Sequence, residues 1–245
     1  MVKHAMMLDL TANHPNHNNK LKSVHTHIYC MTDAIVLGGS RGIGRAIAES
    51  LRTINVEVFA ASRKDIDTSD LKSVEKFAQS HPKTDILVLN TGGPEPKKFQ
   101  DITEHDWNKY HNQLFVGFCS MLQKVKVNPG GYIFLISSSV IKEPNEKLII
   151  SSAYRAAFSE VFKVLSKTYA GSEISCINIA PGPINTDRTQ ELIKDVKEYE
   201  KSLPMKRLGK PSEIGDFVKS IIQNDIKYLS GVVIDFDGAN SSHVF

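Results

Sequence analysis

Residues 33–48 read DAIVLGGSRGIGRAIA, and this stretch decides the fold. Ala34–Leu37 is a short apolar run, the pattern of a strand buried on both faces. Gly38, Gly42 and Gly44 follow at GxxxGxG spacing, and Ala46, Ile47, Ala48 and Leu51 then continue a small-residue helix. Missing side chains at the three glycines allow a tight turn, close backbone approach to a pyrophosphate, and close packing of helix on sheet. The first amides of that helix would face the anion. The stretch predicts a phosphate cradle at the mouth of a nucleotide site; the plainer alternative is a tight strand–helix turn with no ligand.

The bulk properties fit that reading. A chain of 245 residues suits one large α/β domain with a full core. Its hydrophobic share of 41% and charged share of 23% are those of an ordinary soluble chain. A formal charge of +3 without a basic block argues against a nucleic-acid partner. Cys30, Cys119 and Cys176 are odd in number and lack metal-ligand spacing, which predicts a reducing, cytoplasmic setting and no metal centre. No apolar stretch approaches the roughly 20 residues that span a bilayer, so no membrane partner is expected.

Residues 1–31 differ from the remainder of the chain. They carry His4, His14, His17, His25 and His27 and the polar run NHPNHNNK, with no uninterrupted apolar segment for a secretory signal. A metal-binding histidine tract is the sharper reading. The plainer one is a disordered leader, or a start assigned upstream of Met31. The nucleotide-binding domain is expected to span 32–245.

Beyond the glycine turn, strands are expected at Val56–Ala60, Ile86–Leu89, Tyr132–Ile136, Ile174–Ile179 and Val232–Asp235. Helices are expected near 69–80, 104–126, 150–169, 189–202 and 211–223, with Ser69 and Ser212 as N-caps. This alternation predicts a single Rossmann-like, doubly wound parallel sheet. Only Ser62–Asp67 separates the second strand from the next helix, too little for a crossover of a dozen or more residues. The third strand and its preceding helix are therefore expected to be missing, leaving six strands.

Across roughly 33–238 the chain resembles the short-chain dehydrogenase/reductase family. LGGSRGIG at 37–44 is similar to the family's TGxxxGxG cofactor loop, with Leu37 in place of threonine. NTGG at 90–93 resembles the family's NNAG, Ser138 follows a strand as the family serine does, and PGPINT at 181–186 resembles the loop that closes over nicotinamide. GVVIDFDG at 231–238 is similar to the final strand. The resemblance implies cofactor contacts at Gly38, Ser40, Arg41, Gly42, Ile43, Gly44, Arg63, Asn90, Gly92, Arg155, Pro181, Gly182, Ile184 and Thr186.

An NAD-selective site places a carboxylate at the end of the second strand. Here that end reads Ala60-Ala61-Ser62-Arg63-Lys64, with Arg41 as a further cation in the glycine loop. A guanidinium fork suits a 2′-phosphate, so NADP(H) is favoured over NAD(H). Solvated turn residues are the plainer account of Arg63 and Lys64. Asp67 is a candidate adenine contact by resemblance.

The family's catalytic residues do not carry over. That chemistry uses a serine, a tyrosine thirteen residues later, a lysine four beyond, and a helix asparagine. Counting from Ser138, with Pro144 supporting the register, puts Ser151 at the tyrosine position and Arg155 at the lysine position. Counting from Gly117 and Trp107 puts Leu114 at the asparagine position. Tyr154 comes three residues late, about 60° round the helix. Serine is a far poorer proton donor than phenol, and arginine does not deprotonate in proteins. Loss of a positioned acid typically costs about 10²–10⁴-fold.

Three readings are open. One is an NADP(H)-dependent oxidoreductase with a rebuilt site, in which Ser138 and Ser151 polarise the substrate, Arg155 supplies fixed charge, and Tyr154 is a candidate donor. The second is an NADP(H)-binding sensor or regulatory partner without turnover. The third is a structural protein that has lost the nucleotide, against which the three retained glycines argue. The substrate, a small molecule of undefined class, is expected to meet the segment 184–207. There Leu192, Ile193, Val196 and Tyr199 would form a lid's inner face, and Arg188 or Lys206 would meet an acidic group. The resemblance also implies a homodimer or homotetramer through the two long helices, with Phe115, Phe118, Leu122, Phe158, Phe162 and Leu165 available, unless these face the sheet.

Overall fold

The computed structural model describes residues 33–244. The leader reading for 1–31, its histidine tract, Cys30 and Thr32 lie outside the described residues. The apolar runs form six parallel strands: β1 (Asp33–Leu37), β2 (Glu57–Ala61), β3 (Lys83–Leu89), β4 (Lys126–Ile136), β5 (Ser175–Pro181) and β6 (Val232–Phe236). Their order in the sheet is β2-β1-β3-β4-β5-β6. β2 is the edge, so the expected loss of a third strand is borne out. Only the turn Ser62–Asp70 joins β2 to α2 (Leu71–Ser80), and α2 returns the chain to β3.

The period-2 alternation of side chains divides the core in two. Ile35, Leu37, Leu87, Leu89, Ile133 and Leu135 point to one face of the sheet. They are covered by α2, α4 (Gly117–Lys124) and α5 (Ile149–Ala170) through Val74, Phe77, Phe118, Met121, Phe158 and Phe162. Ala34, Val36, Ile86, Val88, Tyr132 and Phe134 point to the other face. There they meet α1 (Gly42–Arg52) and α8 (Pro211–Gln223) through Ile47, Leu51, Ile214 and Val218. Each fully buried aliphatic or aromatic side chain contributes about 1.5–3 kcal/mol, so these two layers dominate the fold's stability.

Several expectations are corrected in detail. The helix expected at 104–126 is interrupted: α3 (Glu104–His111) passes through a π-turn, Asn112–Val116, before α4. The helix expected at 189–202 is two short ones, α6 (Asp187–Leu192) and α7 (Val196–Ser202). Asp195 caps α7 by accepting from the Glu198 amide, and so breaks the run. Asp70, not Ser69, caps α2; Ser69 instead donates its amide and hydroxyl to Asp67. At α8 the cap position is Lys210, with Pro211 opening the helix and Glu213 accepting from the Lys210 amide. Phe118, Leu122, Phe158 and Phe162 lie in the core, with Phe115 and Leu165 partly buried against it, so these side chains hold helix to sheet.

Among the described residues no helix is long and apolar enough to cross a membrane.

Candidate functional site

The strand order reverses at β1, whose neighbours β2 and β3 lead away in opposite directions. In doubly wound sheets the crevice at the carboxyl ends of the strands, at that reversal, holds the ligand. The glycine turn sits there. Gly38 and Gly42 both adopt positive φ, near 60° and 55°, which only glycine takes without strain. The Gly39 amide donates to Ala61 O (2.9 Å), tying the turn to the end of β2. A Cβ on Gly44 would stand 2.2 Å from Gly38 O, so the first turn of α1 lies directly against the loop. The Asn90 side-chain amide donates to Leu37 O (3.2 Å) and Gly38 O (3.4 Å), locking β1's end to β3's. The cradle is thus built and closed by side chain and backbone, and it fits a pyrophosphate. Ser40 and Arg41 stand exposed on its rim, while Ile43 packs on the core below.

The adenine side is less open than the sequence implies. Arg63 is engaged by Asp67, with Nη2 to Oδ2 at 3.2 Å, and its side chain is 75% exposed. Burial works to raise the Asp67 carboxyl, but the Ser69 hydroxyl and amide together with Arg63 outweigh it and hold it below its ordinary value. Asp67 is therefore ionised and committed to this turn. Asp65 is likewise committed, accepting from the Ser62 amide and hydroxyl at 2.7 and 2.6 Å. Both carboxylates thus accept hydrogen bonds from within the turn.

At the other end of the crevice the helix α5 presents Ser151 and Arg155, one turn apart and both buried. The guanidinium of Arg155 donates to Ser151 Oγ (3.3 Å), Ile136 O (3.1 Å), Ser137 O (3.3 Å) and Thr91 O (3.1 Å). It therefore ties α5 to the ends of β3 and β4, and its donors are engaged by protein oxygens rather than open to ribose hydroxyls. All four partners are neutral. Burial alone pulls its pKa down to about 10, which leaves it charged at neutral pH. Ser138 lies two residues past β4, partly exposed, and its hydroxyl accepts a long contact from the Val140 amide, 3.5 Å. Gly93 lies beside the cluster: a Cβ there would be 3.8 Å from Arg155 Nη2 and 3.9 Å from Ser151 Oγ.

Tyr154 is not brought to this cluster. Its ring packs edge-on against Trp107 (5.8 Å) and tilted against His111 (5.3 Å), on the α3 side of α5. Burial raises its hydroxyl above the ordinary phenol value, which makes it a weaker acid still. Leu114 is buried within the π-turn and carries no polar atom toward the site.

The closing loop divides between ligand and scaffold. Pro181 is buried at the end of β5. Gly182 passes so near the C-terminal segment that a Cβ would lie 2.6 Å from Asp237 Cβ. The Ile184 side chain belongs to the core, while its backbone bridges to Gly209. Thr186 caps α6 and meets the glycine turn, its Cγ2 3.3 Å from where a Gly42 Cβ would be. Arg188 then donates to Pro94 O (3.1 Å), strapping α6 to the loop after β3. Lys206 instead donates to Lys201 O (2.7 Å), and Leu192 is exposed. Gly92 has open space around its Cα.

Two supports have no sequence signal that marks them. Gln113, in the π-turn, donates to Thr91 Oγ1 (3.2 Å) and Gly92 O (2.7 Å), fixing the loop beside Arg155. Beneath the cluster runs a buried chain: Ser137 donates to Asn178 Oδ1 (2.6 Å), Asn178 to Ser159 Oγ (3.0 Å), and Ser159 to Arg155 O (2.8 Å). Its members lie on three elements far apart in sequence.

Fold, cradle and crevice together define a dinucleotide-binding α/β protein of the doubly wound class. The family described as "Enoyl-(Acyl carrier protein) reductase" matches residues 67–239. The chain belongs to the short-chain dehydrogenase/reductase family. It is 28% identical over 233 residues to a 3-oxoacyl-[acyl-carrier-protein] reductase of Buchnera aphidicola, covering 84% of this chain and 95% of that relative. Among solved structures it resembles YwfH, described as an NADPH dependent reductase involved in bacilysin biosynthesis, with a TM-score of 0.77 at 22% identity over 87% of this chain and 100% of that one. It also resembles a blue fluorescent protein from a metagenomic library in complex with NADPH, with a TM-score of 0.78 at 20% identity over 86% and 98% of the two chains. At these identities the structural likenesses establish the fold.

Proposed function

We propose that this chain is an NADP(H)-dependent oxidoreductase whose active site has been rebuilt around Ser138, Ser151 and Arg155. The observation that carries the reading is the buried guanidinium of Arg155, held between the ends of β3 and β4 beside an intact glycine cradle. The cradle and the amides of α1 would hold the pyrophosphate, and Arg41 and Arg63 would meet the 2′-phosphate, with Arg63 turning from Asp67. Relatives described as NADPH-dependent support this choice of cofactor. When bound, the cofactor supplies or accepts hydride.

The rest falls to the chain. The hydroxyls of Ser138 and Ser151 would donate to a substrate oxygen. Arg155 holds positive charge that stabilises the oxyanion as it develops, a contribution that depends on preorganisation and not on proton transfer. Arg155 keeps its proton, and Tyr154 is turned toward α3, so the final proton comes from solvent. Loss of one such hydroxyl donor, in Ser138→Ala, is expected to lower kcat by about 10²-fold.

A second reading, cofactor binding without turnover, is favoured by the placement of Tyr154 and by Leu114. The two are separated by incubating the protein with NADPH and a panel of aldehydes, ketones and conjugated carbonyl compounds. Substrate-dependent loss of NADPH absorbance that falls in Ser138→Ala supports the enzyme. Tight NADPH binding with no consumption across the panel moves the assignment to a sensor or partner protein.

A further inference from the structure

We propose that Arg155 selects the redox state of the cofactor: its buried guanidinium, with no carboxylate against it, disfavours the cationic nicotinamide ring of NADP+ relative to the neutral ring of NADPH. This role rests on the proposed cofactor binding and is one that Arg155's direct contacts do not reveal.

Four of the five N–H donors of Arg155 are engaged, three by backbone carbonyls and one by Ser151, so it has little left with which to bind a ligand directly. Hydrogen bonds to neutral oxygens do not cancel a charge, however. Among the described residues no carboxylate forms an ion pair with it, and burial lowers its proton affinity. By contrast Arg188, on α6, lies 3.8 Å from the Glu191 carboxylate and is partly solvated. Arg155 is therefore an unpaired cation in a site with low screening, where a charge acts over several ångströms.

The topology sets which part of the cofactor meets that field. A dinucleotide seated on the cradle runs its adenine half toward β2 and its nicotinamide half over the ends of β3 and β4. Arg155 reaches the backbone at both of those ends, at Thr91, Ile136 and Ser137. Oxidation turns a neutral ring into a cation at that end, against a like charge that cannot move away. The consequence is a protein that recruits NADPH and discharges NADP+.

The test is calorimetric titration of the full-length protein with NADPH, NADP+ and 2′-phospho-ADP-ribose, which keeps every phosphate and lacks the nicotinamide ring. The expected result is NADPH at least tenfold tighter than NADP+, with 2′-phospho-ADP-ribose binding at least as well as NADP+. In Arg155→Gln the NADPH preference should fall toward parity, and in Arg155→Lys, which keeps the charge, it should persist. Equal affinities for NADPH and NADP+ in the wild-type protein, or an unchanged preference in folded Arg155→Gln, overturn the inference and leave the cofactor reading standing. Should Arg155→Gln fail to fold, the three wild-type affinities decide alone: NADP+ binding clearly tighter than the ringless analogue overturns the inference. No binding of any of the three overturns the cofactor reading together with it.

Discussion

Gly44→Ala separates the cradle from an ordinary helix start. In a helix interior alanine is normally favoured over glycine by about 1 kcal/mol. Here the added Cβ would stand 2.2 Å from Gly38 O, 2.7 Å from Gly38 C and 2.8 Å from Asn90 Nδ2. Two of those atoms are backbone, and ordinary contact begins near 3.4 Å, so the turn must give by about 1 Å. Overpacking of this kind costs about 1–3 kcal/mol, which set against the helix preference leaves a net loss of up to about 2 kcal/mol. For a chain of this length each kcal/mol moves Tm by about 2–4 °C, so a fall of up to about 8 °C is expected. The displaced turn also loses at least one amide contact to the pyrophosphate. A hydrogen bond to a charged group contributes about 1.5–3 kcal/mol, so NADPH affinity should drop by about 10–100-fold. Thermal denaturation and calorimetry read the two effects separately. Gly171→Ala, at a helix end where a Cβ meets nothing within 4 Å, serves as the control and should change neither. A Gly44→Ala protein with wild-type Tm and wild-type NADPH affinity would refute the reasoning.

Three further outcomes are expected. Asn90→Ala removes the side-chain bonds to Leu37 O and Gly38 O and should destabilise by about 1–2 kcal/mol, read as a lowered denaturant midpoint at unchanged slope, with weaker NADPH binding. Tyr154→Phe should leave kcat and Tm unaltered, because its hydroxyl has no hydrogen-bond partner among the described residues; a tenfold fall in kcat would return Tyr154 to the chemistry. Hydrogen bonding from Arg207 pulls the Glu213 carboxyl down to about 2. A depressed carboxylate stabilises the fold above its unfolded value of about 4.5 and loses that contribution as pH falls toward about 2, so Glu213→Gln should flatten the acid limb of the Tm profile in that window.

The fold was readable because its signals are local. The apolar run into Gly38, Gly42 and Gly44 fixes a strand, a turn and a helix within sixteen residues, and the short Ser62–Asp67 segment leaves no room for another strand. What escaped reading depends on contacts between distant segments. The π-turn at Asn112–Val116 lies inside a continuous helical pattern. It turns Gln113 toward Gly92 O, which no spacing rule foretells. Counting from Ser138 puts Ser151 and Arg155 four residues apart at the tyrosine and lysine positions, and their side chains meet. That Arg155 would fasten to Ile136, Ser137 and Thr91, instead of remaining open to a ribose, depends on the meeting of three elements. The apolar residues of the two helices suit packing on the sheet and pairing with a partner alike, because both surfaces call for the same side chains.

A built cradle with two nearby arginines should bind NADP(H), and everything proposed for the site depends on that binding. The most direct test is a calorimetric titration of the purified protein with NADPH and then NADH. Micromolar NADPH binding with much weaker NADH binding is the predicted result. Absence of heat with either nucleotide would contradict the account and leave the glycine turn as scaffold alone.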